Sequence, residues 1–317
     1  MSGGEKTDSV MLFDISDRAQ IEVTGRDRVK FLHNFCTNDL KQLQPGQGCE
    51  AFVTNINGKV LGHIFVFVEC ESLWMDSVPG AATTLLTHFG RYLITEDVRF
   101  ADRSAEFAEF LLVGDSTREL LQRLGMAVGS LPPCGHLDHG SDALPVRSVR
   151  RVDWLASPNW LIQAPVDLRD DIAQRLSASG AVAADRDMFH ALRIAAGFPL
   201  YGSDITEENL AQEVGRTAQA ISFTKGCYLG QEPIARIDAM GHVNRQLCRL
   251  LFSSDTPPLA GTPVHENATP DAKVIGTITS SSLNPAMSRA IAMACLRSAF
   301  VKSGTEVFVG GQPAKVL

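Results

Sequence analysis

No two cysteines of this chain stand at C-x-x-C spacing, and the seven present, at 36, 49, 70, 134, 227, 248 and 295, are odd in number. A fully paired disulfide framework is thereby excluded, and reduced thiols are expected. Long apolar runs are also missing. The most hydrophobic stretch, 64–68, is far shorter than the roughly 20 residues a membrane-spanning helix needs. The first nine residues show neither an apolar core nor an arginine, so no leader is visible and a cytoplasmic location is expected. Positive charge is not in excess: 29 Lys and Arg face 36 Asp and Glu, for a net charge of −7. That balance argues against life on bulk nucleic acid or an anionic membrane, though Arg147, Arg150 and Arg151 could form a local basic patch. The glycines at 46 and 48 fit neither a dinucleotide fingerprint nor a P-loop. No internal repeat is evident.

What is present is ordinary globular composition, 44% hydrophobic and 21% charged over 317 residues, enough for two or three domains. Over 11–105, strand and helix patterns alternate: a strand at 19–23, a helix at 27–36 with Val29, Phe31, Leu32 and Phe35 on its apolar face, strands at 50–55 and 60–68 around Asn57-Gly58, and a helix at 81–91. A second region, 106–245, carries a strand at 107–113, a helix at 116–124, a polar loop at 129–142, a strand at 160–164, and helices at 168–177 and 189–196. From 246 onward, short β-rich runs at 247–252, 274–279, 290–296, 306–309 and 314–317 alternate with Pro, Gly and Ser. That is the spacing of a small all-β barrel or sandwich.

One stretch stands apart. Lys225, Gly226, Cys227, Tyr228, Leu229, Gly230, Gln231 and Glu232, with Arg236 beyond, place a cation, a thiol, a phenol, two glycines, an amide, a carboxylate and a guanidinium within twelve residues. A strand at 220–223 is expected to lead into it. The glycines free the backbone to turn amides toward a ligand. Gln231-Glu232-Pro233 suits a first helical turn, and Glu232 and Arg236 could pair at i, i+4. Cys227, near a helix start and a lysine, reads either as a reactive or metal-seeking thiol or as a small packed residue between glycine turns.

The string K-G-C-Y-L-G-Q-E-P-I-A-R resembles the signature of YgfZ-type folate-binding proteins, relatives of the glycine-cleavage T-protein within the GcvT superfamily. The resemblance extends along nearly the whole chain: Leu12 to Ser16, Val23 to Asp27, Thr37 to Leu40, Leu192-Arg193-Ile194 with Gly197-Phe198-Pro199, and Gly276 to Ser280. It implies an α+β fold, with two mixed α/β subdomains (1–105 and 106–245) around a central cleft and a C-terminal β-barrel (246–317). It also implies tetrahydrofolate as cofactor. Arg193, Lys225 and Arg236 would be cations for the folate tail, Tyr228 a stacking surface, and Asn55 a further contact.

Where T-proteins carry an acid after the Asn-x-x-Gly turn, this chain has Gly62 and His63, the latter expected to be a half-exposed strand residue. Ala195 replaces an expected glutamate, and 156–159 lacks a Thr-Gly-Glu segment. Three missing carboxylates point away from aminomethyl transfer and toward an accessory factor. The YgfZ-type reading implies an accessory protein, leaning away from an enzyme, that supports iron–sulfur cluster assembly or maintenance in client enzymes, tRNA-modifying ones among them, with Cys227 at its centre. The alternative is a folate-dependent aminomethyltransferase. Of the remaining signals, Cys134, His136, Asp138 and His139 read as an exposed loop rather than a metal site. A Cys227–His242 dyad lacks a third member.

Overall fold

The computed structural model describes residues 9–129 and 131–317. Residues 1–8, on which the absence of a leader is read, lie outside them. Two sheets pack face to face. The first has the order β3 (Gly48–Thr54), β4 (Val60–Val68), β5 (Leu73–Ser77), β2 (Ala19–Thr24), β6 (Arg99–Asp102). The second has the order β11 (Ala181–Ala183), β1 (Val10–Asp14), β7 (Phe107–Val113), β10 (Asn159–Pro165), β9 (Ser148–Val152), β8 (His136–Leu137). Strand β1 crosses from the first segment into the second sheet, where it runs antiparallel to β7. The two sheets therefore interleave in sequence.

Each sheet is covered outside by helices. Phe31 and Leu32 of α1 (Arg28–Phe35) and Leu85 and Phe89 of α2 (Ala81–Gly90) pack on Ile21, Val53, Ile64 and Met75 of the first sheet. Leu120 and Leu121 of α3 (Thr117–Arg123) and Ile172 and Leu176 of α4 (Arg169–Ala178) pack on Leu12, Phe110, Leu112 and Ile162 of the second. The strands are buried on both faces, so they read as near-continuous apolar runs, with no clean alternation. The layer between the sheets is aromatic, with Phe13, Phe65, Phe67, Trp74, Trp154 and Phe198.

Helix α5 (Arg186–Ala196) starts at Asp185, whose side chain accepts from the Met188 amide at 2.8 Å, and stops at Gly197 with φ +77°. Its Ile194 packs with Leu247, Ile291 and Met293 of the third body. That body is a closed barrel of β12 (Arg245–Phe252), β15 (Arg289–Arg297), β14 (Val274–Asn284), β13 (Pro263–His265), β16 (Glu306–Val309) and β17 (Gln312–Val316). The architecture is thus two α/β subdomains and a C-terminal closed β-barrel.

Two local expectations are corrected. Residues 220–223 are not a strand: α6 (Thr217–Ala220) ends there and the chain runs irregularly to α7 (Gln231–Met240). Tertiary bonds, such as Ser222 N–H to the Thr37 carbonyl at 2.9 Å, hold it instead of a sheet. The loop at 129–142 is also less open than expected. Cys134 and His136 are buried because β8 pairs with β9.

The approach of the 225–236 segment to the β3–β4 turn demands glycine. At Gly230 φ is +85°, and a Cβ would lie 2.4 Å from the Asn55 carbonyl oxygen. Gly226 has open space around it. Gly230→Ala is expected to cost about 1–3 kcal/mol in urea unfolding, and Gly226→Ala no more than about 0.5 kcal/mol. Equal effects would contradict this docking.

Candidate functional site

Cross-strand register sets the inner face of the first sheet. Glu50 stands opposite Phe65, Phe65 opposite Asp76, and Asp76 opposite Gln20, so these side chains share one face. Phe52 and His63 stand opposite each other one step along. On that face His63 Nε2 lies 2.8 Å from Glu50 Oε1. Arg216 donates through Nε to the same oxygen at 2.8 Å and through Nη2 to Oε2. Phe52, Phe65 and Phe198 surround the imidazole with ring centroids at 5.0, 5.2 and 5.8 Å.

His63 is 3% exposed, not half-exposed, because Phe52, Phe65 and Phe198 close around it. The missing carboxylate is supplied from the next strand: Glu50 brings to His63 the acid that 62 and 63 lack. Gly62 points outward, where a Cβ would lie 2.8 Å from Leu85. Sequence reasoning missed Glu50 and Arg216. The one legible signal was an acid inside an otherwise apolar strand. Burial pushes the Glu50 carboxyl up, but the bonds from Arg216 and His63 more than offset it and leave its pKa at about 2.

A cleft of about 170 Å³ opens between the β1–β2 turn, the start of α5 and the 200–203 segment. Its apolar walls are Ile15, Val78, Pro79, Phe189, Leu200 and Tyr201, and its polar members are Arg18, His190, Ser203 and the Asp17–Arg186 ion pair. The Arg18 guanidinium lies 4.3 Å from the Trp154 ring, and Trp154 stacks on Phe198 at 5.3 Å and 16°. An aromatic path therefore links the cleft to His63. Burial and Glu207 push the Tyr201 phenol up to about 12, so it stays a donor. Burial and Arg193 lower the pKa of His190, which accepts the Arg193 Nε–H at 3.0 Å through Nδ1. Three larger grooves, of about 570, 440 and 280 Å³, lie against the barrel.

The 225–236 segment divides into anchors and surface. Lys225 is buried, and its Nζ donates to the carbonyls of His33, Cys36 and Asn38 at 2.5, 2.7 and 2.8 Å. It clamps the end of α1 and is not free for a folate tail. Tyr228 is buried with Phe52, Val60 and Ile234, its ring 4.7 Å from Lys225 Nζ. Gly230 is locked against Asn55, and Thr54 Oγ1 donates to the Leu229 carbonyl at 2.7 Å. Gly226, Cys227, Glu232 and Arg236 are exposed, and Gln231 is half-buried. No Glu232–Arg236 ion pair forms among the described residues.

Arg193 is buried and paired with Asp204 at 2.6 Å, so it braces α5 against the 198–205 segment. Asn55 Oδ1 accepts from the amides of Asn57 and Lys59 at 2.9 and 3.1 Å, which shapes the β3–β4 turn. His242 is exposed. Among the described residues no group of three His, Cys, Asp or Glu could hold a metal ion, and no helix is long and apolar enough to cross a membrane.

Lys225→Met would strand three buried carbonyls at about 1–3 kcal/mol each. Urea unfolding should show a loss of at least about 3 kcal/mol, against no more than about 0.5 kcal/mol for Cys227→Ala. The Glu50 carboxyl titrates near 2 when folded, against an ordinary 4.5. Its stabilisation is therefore full above the ordinary value and lost as pH falls from about 4.5 to about 2, on the order of 3 kcal/mol. In Glu50→Gln that portion of the acid dependence should vanish from a stability-versus-pH series.

Two family profiles match the chain: "GCVT N-terminal domain" over residues 6–225 and "Glycine cleavage T-protein C-terminal barrel domain" over residues 245–316. A chloroplastic protein of Arabidopsis thaliana, named as a transferase, is 26% identical over 86% of this chain, which spans 61% of that relative's length. The aminomethyltransferase of Synechocystis is 25% identical over 95% of this chain and 81% of its own. The crystal structure of the aminomethyltransferase T of Bartonella henselae superposes with a TM-score of 0.86 at 20% identity, covering 97% of this chain and 85% of that one. These relatives overturn the expectation of a non-enzymatic iron–sulfur accessory factor tied to tRNA modification. The proteins aligned along the chain are named as transferases, and the iron–sulfur client partners have no support among them. Membership implies folate binding, and the matched profiles together decide the assignment: the chain belongs to the glycine cleavage T-protein family.

Proposed function

We propose that this chain is a tetrahydrofolate-dependent one-carbon transferase of the aminomethyl-transferring kind. The observation that carries the reading is the buried His63–Glu50–Arg216 cluster, joined through Phe198, Trp154 and Arg18 to the cleft. The relatives named as aminomethyltransferases along 95–97% of the chain support it.

The residues present fit the cofactor. A pterin calls for a flat apolar slot with a few directional polar groups, and this cleft offers Ile15, Phe189 and Leu200 with Arg18 and the Tyr201 phenol. At about 170 Å³ it is smaller than the roughly 300–1,000 Å³ of whole-ligand sites, and so suits one ring system with the rest of the molecule outside. Tetrahydrofolate, when bound, supplies the amine nitrogens that take up a one-carbon unit. The protein's contribution is a proton held at a defined atom. Glu50, ionised by its pairing with Arg216, fixes the Nε2–H tautomer of His63 and leaves Nδ1 as the acceptor. Arg216 acts through Glu50 as a positioning residue.

Within the family, the Lys225–Arg236 segment supports the YgfZ-type branch. Lys225, Tyr228 and Gly230 pin the segment to α1 and the β3–β4 turn. Gly226, Cys227, Gln231, Glu232 and Arg236 are left as its outward part, with the Cys227 thiol as its candidate reactive group.

Calorimetric titration with tetrahydrofolate, and an assay of methylene transfer by the purified chain, test the reading. His63→Ala is expected to lower turnover by about 10²–10⁴ while leaving folate affinity nearly unchanged. A wild-type protein that binds folate saturably yet transfers nothing would sink the transferase assignment. The absence of any binding heat would sink the folate assignment as well.

A further inference from the structure

Between the sheets, behind the cleft floor, two carboxyl groups converge on one guanidinium, that of Arg18. Asp76 on β5 and Glu109 on β7 come from opposite sheets, and both are 0% exposed. Arg18, in the β1–β2 turn, forks onto Asp76 Oδ1 through Nε at 2.9 Å and through Nη2, and its Nε lies 3.7 Å from Glu109 Oε2. From β9, Arg150 Nη1 reaches Glu109 Oε1 at 3.4 Å while its Nη2 donates to Gln163 Oε1 at 2.7 Å. Gln163 donates in turn to Gln20 at 2.6 Å, and both are uncharged. The next charges outward are Arg147 and Glu69, paired at 2.6 Å.

Two acceptors in this cluster have no donor: Asp76 Oδ2 and Glu109 Oε2. Buried polar atoms are rarely left so, and each unmet one is costly. A single proton between them satisfies both. Burial first, and the neighbouring Asp76 second, push the Glu109 carboxyl well above its ordinary range.

We infer that Asp76 and Glu109 share one proton between Oδ2 and Oε2, and that the pair is a positioning element which holds Arg18 flat on Trp154 at the floor of the cleft. With the proton in place, Asp76 is the anion that Arg18 forks onto, and Glu109 is a neutral donor between the sheets. Without it, two like charges face each other in a dry layer, and Arg18 is drawn between them. The positioning role rests on the cleft being the folate site; the shared proton does not. A carboxyl raised in the folded state contributes stability that is full at low pH and is lost as pH rises through the folded value. The layer and the cleft should therefore loosen on the alkaline side.

The test uses the full chain labelled with ¹³C-glutamate. Infrared spectra near neutral pH should show a protonated carboxyl band that is absent in Glu109→Gln, whose amide N–H replaces the shared proton. In the wild type, melting temperature and tetrahydrofolate affinity should fall as pH is raised, and in Glu109→Gln both should stay flat. At neutral pH Asp76→Asn, which releases Arg18, should bind at least about fivefold more weakly than wild type, and Glu109→Gln should lose less. The absence of the band, or an affinity loss in Glu109→Gln equal to that in Asp76→Asn, overturns the shared proton. A wild type that binds no tetrahydrofolate overturns the positioning role together with the folate reading, while the infrared band still decides the proton.

Discussion

Charge buried between two packed sheets must be paired, and this requirement organises the molecule. The inner layer is mostly aromatic, yet it holds Glu50, His63, Asp76, Glu109, Arg18 and Arg150. An isolated ion there would be driven to neutralise. The charges are kept because partners arrive from other elements: Arg216 from the 206–245 segment for Glu50, Arg18 from a turn for Asp76, and, for Arg150, the acceptors Glu109 and Gln163 on β7 and β10 of its own sheet. Such pairs add little net stability over apolar packing. Their effect is to fix where protons and charges sit.

The same logic explains the 225–236 segment. Its chemical density suggests a working loop, but half of that density is anchorage. Lys225 is spent on three carbonyls at the end of α1, and Tyr228 on the core beside Phe52. Burial lowers the pKa of Lys225, yet the carbonyls give its ammonium the donors' partners that water would otherwise supply. What the anchors leave outside is Cys227 with its polar neighbours.

The aminomethyl-transfer reading was weakened at first by carboxylates absent at 62–63, at 195 and in the 156–159 segment. At 62–63 the fold shows why that absence misleads. Two side chains on one sheet face can meet on the diagonal between paired strands, and Glu50 sits thirteen residues before His63 while touching it at 2.8 Å. Gly62, by contrast, faces Leu85 of α2, where an acid would be buried without a partner.

Sequence alone determined the elements whose signals are local. The runs at 107–113 and 60–68 form strands because they are long and apolar, and α5 stops at Gly197 because only glycine takes its φ of +77° at no cost. The β-rich tail closes into a barrel at the spacing its turns announce. What sequence could not determine was which residues meet. That β1 joins the second sheet, that Arg216 finds Glu50 across 166 positions, that Lys225 faces inward, and that Asp76 meets Glu109 all depend on sheet order and facing. These are long-range contacts, and no periodicity or motif along the chain encodes the partner on the other side.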